Sequence, residues 1–441
     1  MENIFDSVII TGMEKFALVI APSLWPGLPL PGAGYLMENL GLHHIETVLF
    51  DLNIQYYNLL KKDKGTRAWT RDHYYFSETF FNRILADHPG PVREMIREIK
   101  NRRIDSIGFS VYRTNLLFSL SLAFLLKQEL PGIRIIFGGP DTAFLKYSNP
   151  DYFNTPLVDH YVIGEGERTL PGLLSSGNAP KTIVSDQIKD LDTLPFPRYS
   201  RFTLDSYSRP DSLALLFSRG CVNHCEFCFE KLLYPCYYTH SPEYMMDQIN
   251  FHVREHKIRW FTFYDSLFNG HTEKLARFLE LMVRHSLPIT WDAQVSISQK
   301  MEKDLLTLMK KSGCNNLFIG LESASPRVLK RMKKNFGQAE AENLIRELHE
   351  QKISFELSLI LNYIDETDEE LEQTLQFLKR NKMYITKIAQ VNPYLHYPGT
   401  GTDISRGYDL ITGFSKVKKV MRVLEQEKIR FTKSYINNLA V

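Results

Sequence analysis

Cysteine is scarce: five among 441 residues, at positions 221, 225, 228, 236 and 314. That is too few for a disulfide framework, and a reducing compartment such as the cytoplasm fits. No run approaches the roughly 20 apolar residues of a membrane helix. The opening Met1-Glu-Asn-Ile-Phe-Asp-Ser7 lacks the basic region of a signal peptide. An excess of one charge is also missing. Lys and Arg number 53 against 51 Asp and Glu, a formal charge of +2. Without a basic tract, nucleic-acid binding driven by phosphate neutralisation is not expected. The 44% hydrophobic and 24% charged content is that of an ordinary globular protein, and the length leaves room for two or three domains.

What cysteine there is lies concentrated. Ser218-Arg-Gly-Cys-Val-Asn-His-Cys-Glu-Phe-Cys-Phe229 holds Cys221, Cys225 and Cys228 in a CxxxCxxC spacing after an apolar stretch. Three thiolates so close can hold three irons of a [4Fe–4S] cube, and no fourth cysteine continues the spacing. Clusters that only carry electrons usually take four, so an open iron points to catalysis. Zinc sites show paired Cys or His spacings with four ligands, and although His224 lies inside the triplet, no second pair follows. Cys236 reads as structural, with a substrate-side thiol as its alternative role, and Cys314, at the entrance to an apolar strand, as core.

This triplet resembles that of the radical SAM superfamily. The resemblance implies that S-adenosylmethionine (SAM) ligates the open iron and is cleaved to a 5′-deoxyadenosyl radical. With only Cys236 and Cys314 left over, branches with auxiliary four-thiolate clusters are excluded. An electron donor such as flavodoxin or ferredoxin is implied as a partner.

Before the triplet, short apolar strands alternate with helical patterns: Phe16–Ala21, Thr47–Asp51, Asp105–Val111, Arg134–Gly139 and His160–Gly164. Such alternation predicts an α/β domain, a doubly wound Rossmann-like parallel sheet with ligands at the strand carboxyl ends. Residues 54–100 interrupt the pattern as an insertion. The opening strand with its Pro/Gly loop, Phe50-Asp-Leu-Asn53, Gly138-Gly139 and Gly164-Glu-Gly-Glu167 resemble the cobalamin-binding domain that precedes many radical SAM domains. Gly138 and Gly139 are the candidate cofactor contacts; a tight strand-to-helix turn is their alternative role. The Asp-x-His-x-x-Gly motif that supplies a lower axial histidine in some cobalamin domains is absent. A domain that kept its fold and lost the cofactor therefore stays open beside cobalamin binding.

Asp190-Leu-Asp-Thr-Leu-Pro-Phe-Pro-Arg198 reads as a linker. The expected division is 1–187 for the first domain, 188–210 for the linker, 211–404 for a barrel and 405–441 for a short C-terminal helical tail. Six further strands, Ala214–Ser218, Trp260–Tyr264, Ile289–Val295, Leu317–Gly320, Phe355–Leu361 and Ile388–Val391, recur at spacings that admit one crossover helix each. They match the partial (β/α)6 barrel of radical SAM domains, in which working groups follow the strands. Carried over position by position, the resemblance implies that Phe227 abuts the adenine. Asp265, where relatives have Gly-Gly-Glu, would accept from the SAM amino group. Glu322 and Ser323 would meet its ribose and methionine part. One cation of Lys330-Arg-Met-Lys-Lys334 could reach the SAM carboxylate, although a charge run is usually a solvated face. Asn362-Tyr-Ile-Asp-Glu-Thr367 replaces the Gly-x-Pro-Gly-Glu-Thr of relatives, and its lost glycines should alter the approach of that loop to the adenine. Tyr394, His396 and Tyr397 would face the substrate, where a proton or hydrogen atom can be moved. With cobalamin, the implied reaction is methylation of carbon in a small metabolite. Without it, a radical rearrangement, dehydration, epimerisation or cyclisation is implied instead. A redox-sensing cluster protein or an RNA-recognising module would each need features the sequence does not show.

Overall fold

The computed structural model describes residues 14–61, 69, 78–176 and 178–432. The N-terminal heptapeptide and the last residues of the tail lie outside them. Two six-stranded parallel sheets carry the architecture. The first runs in the order β2-β1-β3-β4-β5-β6, with β1 Lys15–Ile20, β2 Glu46–Asp51, β3 Ser106–Ser110, β4 Arg134–Gly138, β5 His160–Ile163 and β6 Thr182–Val184. Strands buried on both faces read as continuous apolar runs, and β1 shows why. Phe16, Leu18 and Ile20 meet Ala33 and Met37 of helix Pro31–Leu42 and Leu170 of helix Gly166–Ser175. Ala17 and Val19 face the helices on the opposite side, including Tyr56, Met95 and Phe118. Chain order reverses between β1 and β3, which opens a crevice at their carboxyl ends. Within the expected insertion, the described segments form helices Leu52–Lys61, Glu78–Asp87 and Gly90–Arg102. Strand β6 is an addition to the sequence-based expectation.

The second sheet runs β14-β13-β12-β11-β10-β7, with β7 Ser212–Leu215, β10 Trp260–Phe263, β11 Thr290–Val295, β12 Cys314–Glu322, β13 Ser354–Leu361 and β14 Lys387–Pro393. Each expected barrel strand is present, and helices such as Pro242–Glu255, Thr272–His285 and Asp368–Asn381 fill the crossovers. Their starts are chemically marked. Ser241 Oγ accepts from Tyr244 N, and Thr367 forms a reciprocal capping box with Glu370. The sheet curves without closing, since β7 and β14 do not pair. A two-residue ribbon, β8 Ser218–Arg219 against β9 Tyr238–Thr239, is inserted after β7. Helix Leu410–Gln426 packs Val417, Val420 and Leu424 into the core. The chain then returns along β14, where Ile388 N donates to Arg430 O and Thr432 N to Ile388 O. The linker expected at 188–210 lies between β6 and β7. It is tied down by Tyr199 Oη, which donates to Ala214 O, and by Asp192, which accepts from Ser241 N.

Candidate active site

The cysteine loop begins at Gly220, whose φ of +83° suits glycine and whose Cβ would stand 2.2 Å from Cys236 O. From there Cys221, Cys225 and Cys228 follow as free, partly buried thiols. The loop is tied at several points. Lys231 Nζ donates to Cys221 O at 2.5 Å, Cys228 N to Cys225 O at 3.2 Å and Glu226 N to Met332 O at 3.0 Å. Burial pushes the Cys228 thiol up to about 12, and Cys225 and Cys221 add to the rise through space. Burial likewise raises Cys221 and Cys225. The three thiols lie near enough to raise one another's cost of ionising, and a cationic cluster there would reverse that cost. Among the described residues no group of three or more His, Cys, Asp or Glu side chains is disposed to hold a metal ion. The triplet fits a multi-iron cluster better than a mononuclear zinc site.

Beside Cys225 lies a buried ion pair. Lys334 Nζ stands 3.1 Å from Glu322 Oε1 and donates to Gly320 O at 3.2 Å. Burial pulls Lys334 down, but Glu322 and Cys225 outweigh it and hold its pKa above the ordinary value. Its ammonium also lies 5.4 Å from the centre of the Phe227 ring. Glu322 adopts φ +64° at the end of β12, and its Oε2 accepts from Ser358 Oγ at 2.7 Å. So Glu322, Phe227 and Cys225 come together, and the charge run contributes one buried cation rather than only a solvated face.

Ser323 does not join them. Its hydroxyl pairs with Thr374 Oγ1 at 3.1 Å and accepts from Ser325 N, which leaves it committed within the fold rather than free for a ribose. Asp265 likewise has partners within the fold. It is buried beneath the cysteine loop, where Oδ2 accepts from Phe217 N at 3.1 Å and Oδ1 from Ser218 Oγ at 2.5 Å. Burial raises its pKa to about 7. With one partner on each oxygen it braces the root of the loop.

The fifth-strand loop keeps left-handed backbone positions without its glycines. Asn362 and Asp365 take φ of +57° and +51° at the two positions where relatives have glycine. Asn and Asp tolerate the left-handed region best among non-glycine residues, so the loop keeps a glycine-like course. It carries Tyr363 against Phe227, with ring centres 6.2 Å apart. Tyr363 Oη donates to Glu226 Oε2 at 3.3 Å. Tyr394 packs edge-on to Tyr363 at 4.9 Å, and its hydroxyl lies 3.3 Å from His396 Nδ1. Burial lowers the pKa of His396. Tyr397 goes elsewhere. It stacks on Phe229 at 5.4 Å and shares the Arg113 guanidinium with Phe144 of the first domain.

A cavity of about 540 Å³ opens between the two sheets. One side is a slot along the first sheet, floored by Leu18, Gly108, Ile136 and Val162, with Gly138 and Gly139 at its strand ends. Gly139 has φ +99°, and a Cβ there would stand 2.7 Å from Val111 N. A Cβ on Gly138 would meet nothing closer than 3.9 Å. The opposite wall is Arg219, Gly220, Phe229 and Tyr234 from the cysteine loop and its continuation. Trp25 and Tyr264, one from each domain, line the cavity with ring centres 6.5 Å apart. An apolar slot with glycines at one end and polar groups at the other fits the tail and ring of a corrinoid. Asn53 does not line the cavity, and its Oδ1 accepts from Leu24 N and Trp69 Nε1. Sequence reasoning passed over Arg219 and Glu165, although Arg219 stands inside the quoted run before Cys221 and Glu165 inside the Gly-Glu-Gly-Glu run. Tyr363 was hidden in a loop read only for its missing glycines.

Residues 215–378 match the model of the Radical SAM superfamily, and residues 74–174 that of the B12 binding domain. An uncharacterised methyltransferase of Pyrococcus horikoshii is 25% identical over 331 residues, 70% of either chain. Among solved structures, the radical S-adenosylmethionine methyltransferase TsrM from Kitasatospora setae superposes with a TM-score of 0.66 at 15% identity, covering 89% of this chain and 75% of that one. The cobalamin-dependent S-adenosylmethionine radical enzyme OxsB gives a TM-score of 0.63 at 19% identity, covering 94% of this chain and 56% of its own. At these identities the structural likeness is one of fold.

Proposed function

We propose that this chain, a radical SAM enzyme with a B12-binding domain ahead of its barrel, methylates an unactivated carbon of a small molecule in a cobalamin-dependent reaction. The observation that carries the reading is the shared cavity, walled by Gly138 and Gly139 on one side and by the residues flanking the cysteine triplet on the other. When bound, the cluster with SAM supplies a carbon-centred radical and the corrinoid supplies the methyl group. The chain's own residues bind, orient and exclude water. Cys221, Cys225 and Cys228 hold the cluster. The opposite charges of Lys334 and Glu322 meet the zwitterionic end of SAM. Phe227 and Tyr363 wall its adenine. Tyr394 and His396 form the wall nearest the substrate, and Gly138 and Gly139 let the corrinoid approach the backbone. A one-electron donor such as flavodoxin or ferredoxin and a cytoplasmic setting complete the reading. No helix among the described residues is long and apolar enough to cross a membrane.

The test is anaerobic reconstitution with iron and sulfide in the presence of hydroxocobalamin, removal of unbound ligand, and a visible spectrum taken alongside an assay of SAM cleavage. Stoichiometric corrinoid bands with 5′-deoxyadenosine production support the proposal. Cleavage without retained corrinoid refutes the methylation and leaves a radical rearrangement, dehydration, epimerisation or cyclisation on the same scaffold.

A further inference from the structure

The root of the cysteine loop is held from both domains at once. Neighbouring side chains of a strand point to opposite sides, and the two residues of β8 use this. Ser218 turns toward the barrel, where its hydroxyl donates to Asp265 Oδ1 and Leu267 O. Arg219, two residues before Cys221, turns toward the first domain. Its Nη1 lies 2.5 Å from Glu165 Oε1 and its Nη2 2.8 Å from Glu167 Oε1. The three side chains are only 4%, 2% and 8% exposed, so the pairing is nearly dry. Glu165 also accepts from Ile188 N, where the linker begins. All three residues line the cavity. One guanidinium therefore joins the β5-to-helix loop that borders the cofactor slot to the strand that delivers the first thiol.

A buried arginine with two carboxylates is costly to desolvate, and apolar residues of similar volume would pack the same space at lower cost. What the ionic triad adds is geometry. The planar fork of arginine reaches two carboxylates in a fixed relation, which the single ammonium of lysine does not reproduce. We propose that Arg219 is a positioning residue that sets the separation of the iron–sulfur cluster from the corrinoid cavity through Glu165 and Glu167. This rests on the reading that the cavity takes a corrinoid. It assigns no contact between Arg219 and the reacting atoms.

The experiment uses the full chain loaded with cob(II)alamin and a one-electron-reduced cluster, both paramagnetic, and reads their mutual dipolar interaction from electron paramagnetic resonance line shapes. The comparison is wild type, Arg219→Lys, and Leu344→Ala, a core substitution in helix Gln338–Glu350 between β12 and β13. Leu344→Ala controls for general destabilisation. The expected result is a cobalt-to-cluster distance distribution about twofold broader in Arg219→Lys than in wild type, with Leu344→Ala unchanged. If Arg219→Lys does not fold, Glu167→Gln keeps the side-chain shape and the Glu165 contact, and a broadened distribution is expected there too. A distribution as narrow as wild type in the folded variant overturns the proposal, as does equal broadening in Leu344→Ala. Wild-type protein that holds its cluster but retains no corrinoid overturns the reading of the cavity instead.

Discussion

Gly138 and Gly139 are adjacent, yet the structure gives them different reasons for lacking a side chain, and alanine at each position should separate the two. At Gly139 the backbone is left-handed, and an added Cβ meets Val111 N at 2.7 Å and Val111 O at 2.8 Å. The left-handed conformation alone costs an L-residue about 1–2 kcal/mol, and the clash with backbone atoms adds to it. Gly139→Ala should therefore lose about 2–4 kcal/mol of stability. At Gly138, the last residue of β4, no backbone penalty applies and the nearest protein atom stands 3.9 Å away. Replacing a strand glycine by alanine there should leave stability level or raise it by about 0.5–1 kcal/mol. Because Gly138 lines the cavity, its methyl group takes space from whatever fills it. Overpacking of about 1–3 kcal/mol would weaken corrinoid binding by roughly 5- to 150-fold. Urea unfolding and a visible titration with hydroxocobalamin measure the two quantities separately. Gly138→Ala protein that binds corrinoid as tightly as wild type would refute the placement of the cofactor slot. Gly139→Ala protein of unchanged stability would refute the argument from the turn.

Other outcomes follow from the same geometry. Asn362→Gly should lose only the exposed hydrogen bond to Asp409 O, about 0.5–1 kcal/mol in urea unfolding, whereas Asn362→Val should cost about 1–2 kcal/mol more because a β-branched residue resists positive φ. Lys334→Met should leave Glu322 buried without its cation, cost about 3–5 kcal/mol in thermal or urea unfolding, and raise the SAM concentration needed for half-maximal cleavage; unchanged SAM dependence would remove Lys334 from the SAM site. His252 is wholly buried, and neither ring nitrogen has a hydrogen-bond partner. Burial lowers its pKa to about 3. The unfolded chain then binds the extra proton first, so stability should fall as pH drops below about 6.5 toward 3. His252→Leu should flatten that part of the pH–stability curve, and a slope identical to wild type would contradict the assignment.

The strands were legible because parallel strands covered on both faces must be apolar throughout, which leaves short Val/Ile/Phe-rich runs at crossover spacing. Strand β6 escaped notice for the converse reason. Its three residues lie at a sheet edge, where burial imposes no pattern, and Val184 is largely exposed. The cysteine triplet was legible as spacing within eight residues. The partners that hold it were not, since Asp265 meets Ser218 across 47 positions and Glu165 meets Arg219 across 54. Composition also misled where one property has two chemical sources. Loss of glycine at 362 and 365 suggested a different loop, but asparagine and aspartate supply nearly the same backbone freedom and then spend their side chains on new ties. Asn362 Nδ2 donates to Asp409 O at 2.7 Å, and Asp365 pairs with Arg327 and Arg331.

A curved sheet that stops before closing leaves two rims that could recruit strands from other molecules, and such rims are sites of aggregation in proteins that leave them bare. Here the rim at β14 is capped from within by residues 430–432, which take up the amide and carbonyl of Ile388, while helix Leu410–Gln426 shields the same border. The segment after the barrel thus covers part of an otherwise open rim. A chain cut after Gly407 would still contain every cluster thiol, and it should nonetheless self-associate on light scattering.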